Sequence, residues 1–123
     1  MNYFWDEWRG GSVDNHTMLI KRLGKLFGCR LDLHKMVGID DYFHSHPAWA
    51  IRVILRGGYF EEFLGGVQME WRPGMFGLVS PRLIHRVSGF RGKLRPSYSL
   101  WLRGPVCAKI KVMKVDGTPV LLS

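Results

Sequence analysis

Two histidines one residue apart, in the stretch Tyr42-Phe43-His44-Ser45-His46-Pro47, are the side chains of this sequence best placed to do chemistry. An apolar run rich in β-formers follows, Ala48-Trp49-Ala50-Ile51-Arg52-Val53-Ile54-Leu55-Arg56, and Gly57-Gly58 closes it. In an extended strand, residues two apart point to the same face, so His44 and His46 would present their imidazoles side by side. His85 lies in a second β-like stretch, Leu83-Ile84-His85-Arg86-Val87, and a sheet curved into a small barrel would bring it opposite the pair. Three neutral imidazoles with open coordination positions suit Fe(II), Zn(II), Ni(II) or Cu(II). An H-x-H pair alone is a weak signal in a chain with five histidines; the strand context, the glycine bends and His85 strengthen it. His16 and His34 fall on the expected wet sides of a helix and of a strand, outside the site.

If the strand runs without a bulge, His44, His46, Ala48, Ala50 and Arg52 share the lumen face. The alanines would leave room above a metal, and Arg52 would hold a substrate carboxylate or phosphate. A bulge at Pro47 would exchange the faces, sending Arg52 to solvent and the bulkier Trp49, Ile51, Val53 and Leu55 inward.

The elements that must position these residues are mostly short strands. Residues 1–14 read as an aromatic and polar tail that docks on a sheet or a partner. Residues 15–28 carry Leu19, Leu23, Leu26 and Phe27 near helical spacing, with Asp14 or Asn15 as N-cap and Gly28 where a C-terminal cap would stand, so a helix is expected there. From residue 30 the period changes to alternation. Arg30-Leu31-Asp32-Leu33-His34-Lys35-Met36 places leucines on one face and polar groups on the other. Gly65-Gly66 between Tyr59–Leu64 and Val67–Arg72 is a hairpin signal, with Val67, Met69 and Trp71 expected inward. Pro73-Gly74 turns the chain into Met75–Ser80, Arg91–Pro96 is a basic loop, and Ser97–Arg103 alternates again. Lys109–Val112 reads as a half-wet strand, and Asp116-Gly117 as a last turn before residues 120–122.

With 123 residues the chain is one domain, long enough for a core without staples. Its formal net charge of +8 comes from cations scattered along the sequence. No helix-turn-helix, zinc-finger or arginine-rich arm gathers them, so a basic surface is the simpler reading than a nucleic-acid interface. No apolar run is long enough for a membrane span, and the N-terminal residues lack the pattern of a signal peptide. Cys29 and Cys107 stand far apart, outside any C-x-x-C pattern, as expected of a reduced, cytoplasmic protein.

Over about residues 30–103 the chain resembles the cupin superfamily. Gly38, His44-Ser45-His46 and the Gly57-Gly58 bend follow the first cupin motif; Gly66, Pro73-Gly74, Pro81 and His85 follow the second. Within that superfamily it looks most like small single-domain proteins of bacteria and their phages. The matching residues are His44, His46, Pro47, Gly57, Gly58, Tyr59 and Glu61, with Leu102-Arg103-Gly104-Pro105 near the end. The sequence departs from the pattern where the usual glutamate ligand would fall, at Ala50 or Ile51, and neither binds metal. Two sets remain open: three histidines alone, as in thiol dioxygenases of the same superfamily, or the three with Glu61.

The resemblance implies an all-β, cupin-type jelly-roll barrel over residues 30–123, with the helix packed outside. It implies a mononuclear divalent transition metal on His44, His46 and His85, with Glu61 as the optional fourth ligand and Arg52 and Tyr59 contacting a small-molecule ligand. A metal-dependent enzyme of dioxygenase or isomerase type is the leading expectation. A non-catalytic module binding a sugar, metabolite or protein is the alternative, and nucleic-acid binding ranks third. A homodimer formed through sheet edges is expected, because pairing covers unpaired strands and exposed aromatics.

Overall fold

Alternation governs nearly every element of the computed structural model, which describes residues 4–9, 17–39, 42–91 and 96–113. Among the described residues, eleven strands follow in chain order: β1 (Glu7–Arg9), β2 (Met18–Leu26), β3 (Cys29–Met36), β4 (Phe43–His44), β5 (Ala50–Arg56), β6 (Tyr59–Phe63), β7 (Gln68–Trp71), β8 (Phe76–Val79), β9 (His85–Phe90), β10 (Ser97–Arg103) and β11 (Val112–Met113). They form two antiparallel sheets, one ordered β1-β2-β3-β10-β5-β8 and the other β11-β4-β9-β6-β7. The sheets face each other across a shared core. Met36 and Ile54 from the first pack on Tyr59, Trp71 and Val87 from the second. This is the jelly-roll barrel expected from the sequence.

The expected helix over 15–28 is not formed in its described part; residues 18–26 are strand β2, paired with β1 and β3. The leucine spacing fits a helix locally, but cross-strand pairing on both sides decides the outcome. Gly24 sits where the β2–β3 register shifts, and Phe27 and Gly28 both have positive φ, 50° and 80°. They make the two-residue turn of a β-hairpin, so Gly28 closes a hairpin rather than capping a helix. Asp14, Asn15 and His16 lie outside the described residues, as do Asp116-Gly117, residues 120–122 and most of the basic loop at 92–95. In the 1–14 tail, β1 adds an edge strand to the larger sheet.

Two further expectations need correction. The alternation in β3 predicts the leucines on its inner face, yet Arg30, Asp32, His34 and Met36 are buried and the leucines lie outward. Around the Gly65-Gly66 hairpin, Trp71 is buried as expected, whereas Val67 and Met69 are exposed.

Gly58 is required by both conformation and space. Its φ is +89°, and a Cβ there would overlap the Trp71 carbonyl. This bend turns the chain from β5 in one sheet to β6 in the other, which sets Arg52 facing Glu61.

Candidate metal centre

The chain passes from the five-stranded to the six-stranded sheet between β4 and β5, through Ser45–Trp49. Pro47 sits in this corner, where its missing amide costs no ladder bond. The alternation survives the corner: Ala48, Ala50, Arg52 and Ile54 are all buried, while Trp49, Ile51 and Leu55 are exposed. The faces are therefore not exchanged, and His44 and His46 look into the lumen with Arg52.

His44 pairs directly with His85 across β4 and β9. The three imidazoles of His44, His46 and His85 each offer one nitrogen, and these nitrogens all lie within 4.8 Å of one another. The His46 and His85 Nε2 atoms are 2.8 Å apart. Two nitrogens about 2.1 Å from one ion, at right angles to each other, would stand about 3 Å apart. Ring centroids are separated by 5.2 Å for His44–His46, 4.8 Å for His44–His85 and 4.9 Å for His46–His85.

Glu61 is fully buried and meets the far side of His85, its carboxylate in close contact with Nδ1. Arg52 grips the same carboxylate with two nitrogens, Nη2 to Oε1 at 2.6 Å and Nη1 to Oε2 at 2.8 Å. Trp71 Nε1 donates to Oε1 at 3.0 Å. The Arg52 guanidinium also lies 3.9 Å from the centre of the Trp71 ring, and Nη1 reaches the Tyr59 hydroxyl at 3.0 Å. Burial alone would raise the Glu61 carboxyl, but hydrogen bonds and charge from His85 and Arg52 outweigh it and hold it at about 2. Glu61 thus stands behind a candidate ligand rather than among the converging nitrogens. Arg52 and Tyr59 reach the lumen face, with both terminal nitrogens of Arg52 engaged by Glu61 and Tyr59.

A carboxylate on Nδ1 fixes the His85 tautomer, leaving the Nε2 lone pair turned toward His46. Burial pushes the His46 imidazole well below its usual range, and His85, His44, His34 and Arg52 push the same way. A neutral imidazole is the form that binds metal.

His34 is the lumen residue that sequence reasoning missed. It is buried, stacks on Trp101 with ring centroids 4.9 Å apart, and lines the same cavity as the three histidines. Burial, then the charges of Arg9 and Arg30, lower its pKa to about 3. The signal was present in the Arg30-x-Asp32-x-His34 alternation, but alternation gives a period and not which face turns in. The cavity itself is about 40 Å³. That is room for an ion with one or two water-sized ligands.

No family model matches this chain, and no curated protein matches it. Solved structures do. A protein provisionally assigned as a mannose-6-phosphate isomerase from Ralstonia eutropha superposes with a TM-score of 0.61 at 16% identity, over 86% of this chain and 98% of the other. A cupin-like protein from Thermotoga maritima gives 0.53 at 18%, over 99% and 90%. The Fe(II) form of HppE gives 0.63 at 10%, over 79% of this chain and 55% of that longer one. Sheet order, facing layers and these likenesses agree: the chain has the cupin jelly-roll fold. Among the described residues, no helix is long and apolar enough to cross a membrane.

Proposed function

We propose that this protein holds a divalent transition metal on His44, His46 and His85 and uses it to bind or transform a small molecule. The convergence of three histidine nitrogens from β4, the following corner and β9 carries this reading. The donor set fits: neutral imidazoles suit Fe(II), Zn(II), Ni(II) and Cu(II) alike. When bound, such an ion would supply Lewis-acid or dioxygen chemistry at its open positions.

The chain's own residues have definable tasks. Glu61 holds the Nδ1 proton of His85 and so orients that ring, and Arg52 and Trp71 hold Glu61 in turn. On this reading Glu61 is a positioning residue rather than a fourth ligand, since binding an ion would break these bonds. Arg52 braces Glu61, and the Tyr59 hydroxyl accepts from Arg52, so neither is set to clamp a substrate anion. Met18, Met36 and Val87 wall the cavity with apolar surface and limit water. Its volume favours a compact ligand.

Titration of tag-free, metal-stripped protein with Co(II) tests this reading. One equivalent should bind with imidazole-type ligand-field bands, and His44→Ala or His85→Ala should abolish them. Absence of stoichiometric binding would refute it. The small cavity also favours a second reading, a non-catalytic module whose metal is structural. Addition of azide discriminates: a spectral change reports an open position, and no change favours the module.

We further propose that a second copy of the chain covers the outer face of the six-stranded sheet. Register aligns Leu31, Leu102, Ile51 and Leu78 in one row and Leu33, Leu100, Val53 and Phe76 in the next, across β3, β10, β5 and β8. With strands about 4.8 Å apart and same-face residues about 6.7 Å apart, these eight positions cover roughly 260 Å² in plan. That is about a third of what a standard interface buries per partner, and Trp49, Leu55 and Tyr98 extend it. Flat apolar sheet faces pack on one another at about −30°, and two-fold pairing is the commonest assembly. The two apolar rows thus favour face-to-face pairing over pairing through sheet edges.

A further inference from the structure

Ser45, between the two lumen histidines, lines a different cavity. A groove of about 790 Å³ runs along the outer side of this corner, and it shares no lining residue with the lumen cavity. Its volume is that of a site for a ligand of nucleotide size.

One wall is the segment 107–111, tied down along the corner. The Cys107 and Ala108 amides donate to the Pro47 carbonyl at 2.7 and 3.0 Å, and the Ser45 amide donates to the Lys111 carbonyl at 2.9 Å. The Lys111 amide returns to Ser45 Oγ at 2.8 Å. The other wall is the turn at 80–82, closed by the Leu83 amide on the Ser80 carbonyl and the Arg82 amide on Ser80 Oγ, each at 3.1 Å. Trp49 also lines the groove, with half its surface exposed.

Three cations line this groove, Arg82, Lys109 and Lys111, and no carboxylate does. Among the described residues no ion pair engages any of the three. By contrast Arg9, Lys21, Arg22, Arg30, Arg72 and Arg86 all sit on carboxylates. Uncompensated cations from both segments that line the groove attract a multiply charged anion, and the exposed indole offers a flat apolar surface to a ring. We propose that this groove binds a small phosphate ester carrying a planar ring, of the nucleotide class. Its phosphates lie on Arg82, Lys109 and Lys111 and its ring on Trp49. The site is independent of any metal in the lumen.

The test is calorimetric titration of metal-stripped protein with ADP, pyrophosphate and adenosine, without divalent ions. ADP should bind, and pyrophosphate and adenosine should each bind about tenfold more weakly or worse. ADP should also slow alkylation of exposed Cys107, which lines the groove. A combined Arg82→Ala, Lys109→Ala, Lys111→Ala variant should lose ADP affinity by about tenfold or more with its melting temperature retained. Trp49→Leu should bring ADP down to the affinity of pyrophosphate, and His44→Ala should leave binding intact. No binding of ADP at millimolar concentration would overturn the proposal. So would unchanged affinity in the triple variant, equal affinity for ADP and pyrophosphate, or loss of binding in His44→Ala.

Discussion

The two faces of the six-stranded sheet are inverted relative to an ordinary half-exposed sheet. Its inner face carries Arg30, Asp32, His34, Arg52, Ser97 and Ser99, all buried. Its outer face carries two apolar rows, in which Ile51, Leu78, Phe76 and Leu102 stand 45–75% exposed. A polar interior is costly unless every group is partnered, and an apolar exterior is costly unless covered. The inner face offsets part of its cost with a network: Trp101 Nε1 donates to Ser99 Oγ, the Gly58 amide to Ser97 Oγ, Arg30 to Asp32, and Arg52 to Glu61, while Arg30 Nε, Asp32 Oδ1, His34 Nδ1 and Arg52 Nε are buried with no hydrogen-bond partner among the described residues. The difference separates a polar lumen, where the three histidines converge, from an apolar outer face that the proposed pairing of two copies would cover.

This contrast can be broken from either side. The largest effect is expected at the centre of the inner network. Glu61→Ala leaves the buried Arg52 charge without its partner and should cost about 3–5 kcal/mol in urea denaturation. An effect as small as that of a surface substitution would show that the network is not holding the interior.

Next comes acid. His34 has a folded pKa of about 3 against an ordinary 6.5, so the unfolded chain takes up the proton first as pH falls. Its contribution is fully present above pH 6.5 and is lost progressively down to about 3. Between about pH 7 and pH 5 the loss should be about 2 kcal/mol, and His34→Phe should remove that part of the slope. Glu61 acts in the same direction at lower pH, its contribution present above 4.5 and lost toward 2. Identical slopes in wild type and His34→Phe would contradict a neutral, buried ring.

The smallest effect on the fold is expected outside. Ile51→Asp or Leu78→Glu should change subunit stability by no more than about 0.5 kcal/mol. Either should nevertheless convert a dimer into a monomer in light scattering. A wild-type monomer at micromolar concentration would remove the proposed pairing.

Much of this was legible in the residues. The two-residue spacing of His44 and His46, the apolar run after Pro47, His85 and the glycine hairpins point together to the barrel and the histidine cluster; each is a local pattern, and it is their order along the chain that gives the weak H-x-H signal its meaning. The rest depends on partners far apart in sequence. Leu19, Leu23 and Leu26 fit a helix until β1 and β3 are known to flank them. Leu31 and Leu33 read as core because apolar residues usually are, and only the opposed sheet reveals that Asp32 and His34 turn inward. That Arg52 would meet Glu61 depends on Gly58 turning the chain between sheets, which no spacing rule supplies.

The central claim is that His44, His46 and His85 form one metal centre. Elemental analysis of protein purified without an affinity tag tests it most directly. About one equivalent of a single transition metal per chain is expected, lost in His44→Ala and in His85→Ala. Metal-free wild-type protein that also fails to take up Fe(II), Zn(II), Ni(II) or Cu(II) would contradict it.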